Sequence, residues 1–433
     1  MNAVFFALVA TGFAVAAWRQ LHWTPAGPGD VAPMQALTTG IIESAGGAVT
    51  LSIGLVGMMA LFLGLVKVAE EGGLLRIIAK AIRPVMVRAF PAVPADHPAM
   101  GAMILNMAAN VLGLGNAATP FGIRAMQELD KLNPHKGTAT DAMVLFLAIN
   151  TSSVTLLPTG VIALRAAAGS ADPAGILPTT LFATLCSTAT AIVAAIFLSR
   201  FFAARAADPD RPAAPTAAPE PVPGAGDLSA ADEGYPLWVT VAAFVAIVAA
   251  IPLTVAYGSA VSPWIMPALI VAFLSFGVLR GVRVYEAFVE GARDGFAVAI
   301  RIIPYLVAIL VAIAMLRASG ALDALIGVLA PVTSLVGLPA EALPMALLRP
   351  LSGSGAYGVL ASIINDPAIG PDSYVGRVVS TIQGSTETTF YVLAVYFGAV
   401  QIRRIRHALA AGLIADTAGI LAAVAAVAWF YGG

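Results

Sequence analysis

The sequence predicts an all-α polytopic membrane protein built from two inverted-topology repeats, with re-entrant helical hairpins and broken transmembrane helices. Three observations carry the prediction. Of the 433 residues 59% are hydrophobic and only 11% charged, with a mean hydropathy of +0.89, against about 25% charged residues in soluble domains. Apolar runs near 48–69, 140–166, 177–200, 236–256, 263–281, 297–317, 374–400 and 407–431 are long enough to cross about 30 Å of hydrocarbon, which takes roughly 20 residues. The second half of the chain repeats the plan of the first.

Taken in order, the amino-terminal stretch "MNAVFFALVATGFAVAAW" is expected to be a first helix, because no Lys or Arg precedes it as a signal peptide would require. Residues 1–47 hold this helix and a loop, and 48–205 the first repeat. Residues 206–235, rich in Pro and Ala with few apolar side chains, are expected to be a disordered linker. Residues 236–433 form the second half, its core repeat at about 297–431.

Each repeat has a spanning helix (48–69; 297–317), an amphipathic stretch (74–90; 320–335), a Gly-rich interrupted segment (98–130; 341–364), a helix with a polar interruption (140–166; 374–400) and a plain helix (177–200; 407–431). "LGLGNA" (112–117) aligns with "SGSGAY" (352–357), and "NTSSVT" (150–155) with "GSTETT" (384–389). Read as hairpins that enter and leave on one side, the Gly-rich segments leave five crossings between the two first helices, an odd number that inverts the repeats. With a cytoplasmic amino terminus, only Arg19, Arg165, Arg317, Arg349 and Arg377 of the 23 Lys and Arg residues stand on or towards the far side. That bias follows the positive-inside rule and fits a multi-pass protein of a bacterial inner (cytoplasmic) membrane.

Inverted repeats with interrupted segments at matching positions point to a transporter whose substrate site lies near the midplane. Four stretches would build it. In the first hairpin, Asn106, Asn110 and Asn116 supply amides, while Gly113 and Gly115 permit a tight turn; Pro120 suits the first position of the returning helix. In the second, Ser352, Gly353, Ser354 and Gly355 follow the breaker Pro350. Asn150, Thr151, Ser152, Ser153 and Thr155 mark one broken helix, and Gln383, Ser385, Thr386, Glu387 and Thr388 the other. Helix ends freed at such breaks bind anionic groups and cations.

The bland reading is that small residues mediate helix packing and hydroxyls bond back to their own helix. Against it, an amide or carboxylate in lipid costs on the order of 2–3 kcal/mol, and several occur at matching places. Glu387, the one acidic residue in the four stretches, would carry a proton or pair with a cation during transport, or else form a static ion pair with Arg349. Asp416, a third of the way into the last helix, and Asp141, at a helix start, are weaker candidates. The lone Cys186 and the scattered His22, His97, His135 and His407 argue against disulfides and a metal site. No phosphate loop, nucleophile elbow or H-E-x-x-H motif suggests an enzyme, no basic block suggests nucleic acid, and no cofactor is expected beyond a coupling Na⁺ or H⁺.

"NMAANVLGLGNAATPFGIRAMQELDKLNP" with "AINTSSVTLLPTGVIALR" resembles the spore maturation protein A family. "LRPLSGSGAYGVLASII", "GPDSYVGRVVSTIQGSTETTFYVLAVYFGAVQIRRIRHAL" and "GLIADTAG" resemble the spore maturation protein B family. The match runs over most of 45–200 and 290–431, so the two look fused. Both belong to the nucleoside recognition, or gate, domain group, which is similar to the membrane parts of concentrative nucleoside carriers and of ferrous iron transporter B. The resemblance implies a carrier-like core with elevator-type displacement, and does not fix the cargo.

The expected function is secondary, alternating-access transport of a small polar solute such as a nucleoside, amino acid or small carboxylate, ion-coupled, in the bilayer and as a homo-oligomer. The rival is a non-transporting membrane scaffold or sensor in envelope or spore maturation; a channel is a third reading.

Overall fold

A computed structural model describes residues 2–25, 27, 30–113, 115–202 and 234–432. The expected linker lies almost wholly outside them. Among the described residues every regular element is helical, apart from one isolated bridge between Thr138 and Arg404.

Helix α1 (Asn2–Leu21) is followed by α2 (Pro33–Glu71), a 39-residue helix that begins well before the expected run. Pro33 opens it, where a missing N–H costs nothing; the small and polar residues of 33–47 hide a helical segment from a hydropathy reading. Then come the amphipathic α3 (Leu74–Ala89), the paired α4 (Pro98–Val111) and α5 (Gly115–Lys131), the pair α6 (Asp141–Thr151) and α7 (Thr159–Ala167), and α8 (Leu177–Ser199). The order recurs after α9 (Leu237–Leu279). Here α10 (Val284–Ser319) leads to α11 (Ala321–Ser334), then α12 (Leu343–Leu348) and α13 (Gly353–Ile364), α14 (Tyr374–Ser385) and α15 (Thr389–Ala399), and α16 (Ala408–Tyr431).

Local chemistry explains the starts. Thr140 Oγ1 accepts from the Met143 N–H at the head of α6, and Ser373 Oγ from Gly376 at the head of α14, so the two broken helices share a hydroxyl cap. Gly320, at φ +76°, ends α10, and the chain turns by 83° into α11. Pro120 does not open its helix as expected: α5 already starts at Gly115 and carries Pro120 inside it.

Helices α8 and α16 are each long and apolar enough to cross a membrane. The most extensive packing is between α2 and α10, which run antiparallel: Gly40 faces Ala318, and Gly64 faces Phe288. The pair α8 and α16 is antiparallel too. Ser187 Oγ donates to Ala415 O (2.8 Å), while Tyr431 OH reaches Gly175 O at one end and Arg406 reaches Phe202 O at the other.

Two runs expected as separate helices, 236–256 and 263–281, form one helix, α9, of 43 residues. A straight helix of that length would extend about 65 Å. Yet Thr240 Oγ1 donates to Ala81 O (2.7 Å) and Gly277 lies against Val68. Ala81 and Val68 are joined by one short turn and are at most roughly 25 Å apart at helical rise. Helix α9 is therefore bent between these two contacts.

Candidate functional site

The hairpin turns and helix breaks converge. Between α4 and α5 the chain turns at Gly113, with φ +75°; a Cβ there would lie 2.3 Å from Leu157 O, so glycine is required both by torsion and by space. Leu156 N–H, in the break between α6 and α7, donates to Val111 O at that turn (2.9 Å). The second half repeats the link: Phe390 N–H, just past the break between α14 and α15, donates to Pro350 O (3.1 Å). The breaks also meet each other, because Glu387 N–H donates to Thr151 O (2.9 Å).

This wiring changes what the breaks offer a ligand. The carbonyl of Thr151 is taken by Glu387, that of Ser152 by the Thr188 hydroxyl and that of Thr386 by the Arg349 guanidinium. The expected free helix-end carbonyls are thus largely satisfied within the protein, and side chains are what remain.

Those side chains divide into two groups. Several are turned inward and occupied. Thr151 and Ser152 hydroxyls bond back to Ala148 O (both 2.9 Å), Ser385 and Thr386 to Ile382 O (3.3 and 3.4 Å), and Ser352 caps α13 by accepting from the Gly355 N–H. Asn106 Nδ2 donates to Ala118 O (2.7 Å) and to Tyr396 OH (3.2 Å); that hydroxyl donates on to Asn150 Oδ1 (3.3 Å), which also accepts from Asn110 Nδ2 (3.0 Å). Thr388 Oγ1 accepts from Arg349 Nη1 (3.2 Å). Ser354 lies in the first turn of α13 beside Gly355. The side chain of Asn116, like position 115 beyond its place at the start of α5, is outside the described ones.

The second group lines a cavity of about 640 Å³. Asn110, Gly113, Ser153, Thr155, Gly353, Gln383 and Glu387 face it, with Arg349 and Tyr357 beside them. Gln383 is 3% exposed and its Oε1 has no hydrogen-bond partner. Arg349, equally buried, stands 3.6 Å from the Glu387 carboxylate, which is half exposed to the cavity. The opposite wall comes from α2 and α10, including Lys67, Glu70 and Asp294. Sequence reasoning missed this wall, because charged residues near helix ends read as ordinary interface residues; only the antiparallel pairing brings Lys67 and Asp294 opposite the breaks. It also missed Tyr396, an aromatic residue in an apolar run. Its packing against Gly122, where a Cβ would fall 2.1 Å from the hydroxyl, left no linear signal.

The sequence profile of the nucleoside recognition (Gate) family matches residues 52–168 and 299–403, together about half of the chain. The chain belongs to the nucleoside recognition family. Each matched segment runs from within a long helix, α2 or α10, through the paired helices and across a break, so both halves carry the gate-family elements. Among curated relatives, spore maturation protein B of Bacillus subtilis is 47% identical over 167 residues, which are 39% of this chain and 93% of that protein. Spore maturation protein A of the same organism is 44% identical over 169 residues, 39% of this chain and 84% of that protein. Inner membrane protein YjiG of Escherichia coli K12 is 38% identical over 88 residues, covering 20% and 58%. Among the described residues of this gate-family chain, no three His, Cys, Asp or Glu side chains are grouped to hold a metal ion.

Proposed function

We propose that this gate-family protein is a secondary, alternating-access transporter of a small polar solute. The observation that carries the reading is the cavity between the two turns and the two breaks, closed on its other side by the antiparallel pair α2 and α10. Its volume suits a nucleoside-sized ligand. Amides from Asn110 and Gln383, the hydroxyls of Ser153 and Tyr357, and the Arg349–Glu387 pair provide for a nucleoside, an amino acid or a small carboxylate. The family description favours the nucleoside.

Antiparallel packing of α2 on α10 and of α8 on α16 supports inverted repeats, and the links from Leu156 to Val111 and from Phe390 to Pro350 support two equivalent re-entrant hairpins. Such a frame moves by rocking or elevator displacement around a midplane site. The protein sits in a bacterial inner membrane with a cytoplasmic amino terminus and a coupling Na⁺ or H⁺, and assembles as a homo-oligomer. Purified protein in liposomes should take up labelled uridine, or members of an amino acid and carboxylate panel, with saturation. Absence of flux across the panel, with and without imposed Na⁺ and pH gradients, would refute transport.

The names of the two Bacillus relatives, which speak of spore maturation and not of a cargo, favour a second reading, a membrane scaffold or sensor. Under it, Glu387→Gln would change partner recruitment while solute flux stayed absent in both proteins.

A further inference from the structure

Behind the cavity lies a buried carboxylate that the proposed solute site does not use. Asp416, about a third of the way along α16, is 2% exposed. Its Oδ2 accepts from Thr389 Oγ1 (2.7 Å), and its Oδ1 has no hydrogen-bond partner. A carboxylate so placed in a membrane helix is costly unless it is neutralised.

The surroundings state which ligand can do this. Helix α16 packs against α6, α8, α14 and α15. The face it turns to them carries Gly412, Asp416 and Gly419, spaced to share one side of the helix. Thr389 and Thr151 fill the space over Gly412, and Thr386 and Ser187 that over Gly419. These neighbours are hydroxyls and do not ionise. The charged groups within electrostatic reach of Asp416 are Arg349 and Glu387, and Arg349 is already committed to Thr386 O, Thr388 Oγ1 and Glu387. The methyl groups of Thr389 and Thr386 would stand only 2.8 and 2.5 Å from Cβ atoms at positions 412 and 419. A face packed this closely suits the smallest ligand.

We propose that Asp416 is a proton-binding site that couples proton movement to the solute cavity. The proton comes from water in the cavity, binds the Asp416 carboxylate to give the neutral acid, and returns to water when the site opens to the other side. The coupling element is short. Thr389, the partner of Asp416, is the first residue of α15, directly after the break that carries Glu387 and Thr388. With Asp416 ionised, it competes with Glu387 for the field of Arg349; with Asp416 neutral, Arg349 is left to Glu387 or to an anionic group of the solute. Glu387, half exposed and already paired, is a gate-side charge in this scheme and not the buried proton carrier.

The proton site can be tested apart from transport, although its coupling role rests on the transport reading. In pH-difference infrared spectra of the purified protein, a protonated-carboxyl band should appear, shift on labelling with isotopic aspartate, vanish in Asp416→Asn and persist in Glu387→Gln. A band that ignores the aspartate label, or survives Asp416→Asn, overturns the proposal. The label experiment needs no variant, so it stands even if Asp416→Asn does not fold. In liposomes, Asp416→Asn should bring the ratio of uridine uptake with and without a pH gradient to one, while uridine counterflow continues. An aspartate band together with no uptake across the whole solute panel would leave the proton site in place and sink the transport reading. Uptake that keeps its pH-gradient dependence in Asp416→Asn would overturn the coupling role.

Discussion

At Gly113 and Arg349, single side chains decide the shape of the cavity. Gly113 combines a left-handed φ of +75° with the close Leu157 carbonyl. Gly113→Ala is expected to cost about 1–2 kcal/mol from torsion alone, more with the clash, and to lower the thermal midpoint in detergent together with solute affinity. Arg349 holds the Thr386 carbonyl, the Thr388 hydroxyl and Glu387. Arg349→Ala leaves the buried carbonyl unpaired, a loss of about 1–3 kcal/mol. Arg349→Lys should restore only part of it, because an ammonium lacks the planar fork that reaches two partners at once; thermal shifts of both variants would measure this. A full rescue by lysine would show that charge, and not geometry, is what the site needs. Tyr396, 5% exposed, bridges Asn106 and Asn150. Tyr396→Phe should therefore destabilise by about 1–3 kcal/mol without touching the cavity lining.

Between elements, the loops at the far end of the two halves are held by one buried arginine. Arg165, 1% exposed, donates to Asp372 Oδ1 (2.8 Å) and Pro371 O (2.5 Å), linking the end of α7 to the loop before α14. Ser170 Oγ and the Ala171 N–H donate to the same carboxylate (2.6 and 2.7 Å). Burial pushes the Asp372 carboxyl up, but these hydrogen bonds and the Arg165 charge outweigh it and hold it below its ordinary value of 3.8. A carboxyl lowered on folding adds stability that is complete above the unfolded value and is lost as pH falls through the lower folded one. Thermal stability of the wild type should thus fall more steeply below about pH 4 than that of Asp372→Asn. Equal slopes would mean the clamp contributes nothing.

For the whole molecule, the proposed inverted repeats place the carboxyl ends of the antiparallel α2 and α10 on opposite faces of the bilayer. In a Cys186→Ser background, cysteines at Glu71 and Arg283 should label from one side and a cysteine at Asp323 from the other. All three labelling from one side would break the inverted-repeat arrangement. The same frame makes the fold readable in sequence to a large extent. The expected starts at 140 and 374, and the polar clusters at 150–155 and 384–389, are local signals, and the helices begin and break there. Helix α9 was legible as two apolar runs, whereas its continuity through the middle was not, because hydropathy reports polarity and not backbone hydrogen bonding.

The sequence by itself determined that the chain lives in lipid, that its plan runs twice, and where polar residues interrupt apolar helices. These are properties of composition and spacing, which burial in hydrocarbon makes costly to violate. Only the tertiary structure decided which polar groups are free. It turned Asn106, Asn150, Thr151 and Ser152 inward to protein partners, left Asn110, Gln383 and Glu387 on the cavity, brought Lys67 and Asp294 across from them, and set Asp416 behind the break with one oxygen unpartnered. The reason is physical: a hydrogen-bonding side chain is spent or available according to what stands within about 3 Å of it, and those neighbours come from helices tens to hundreds of residues away.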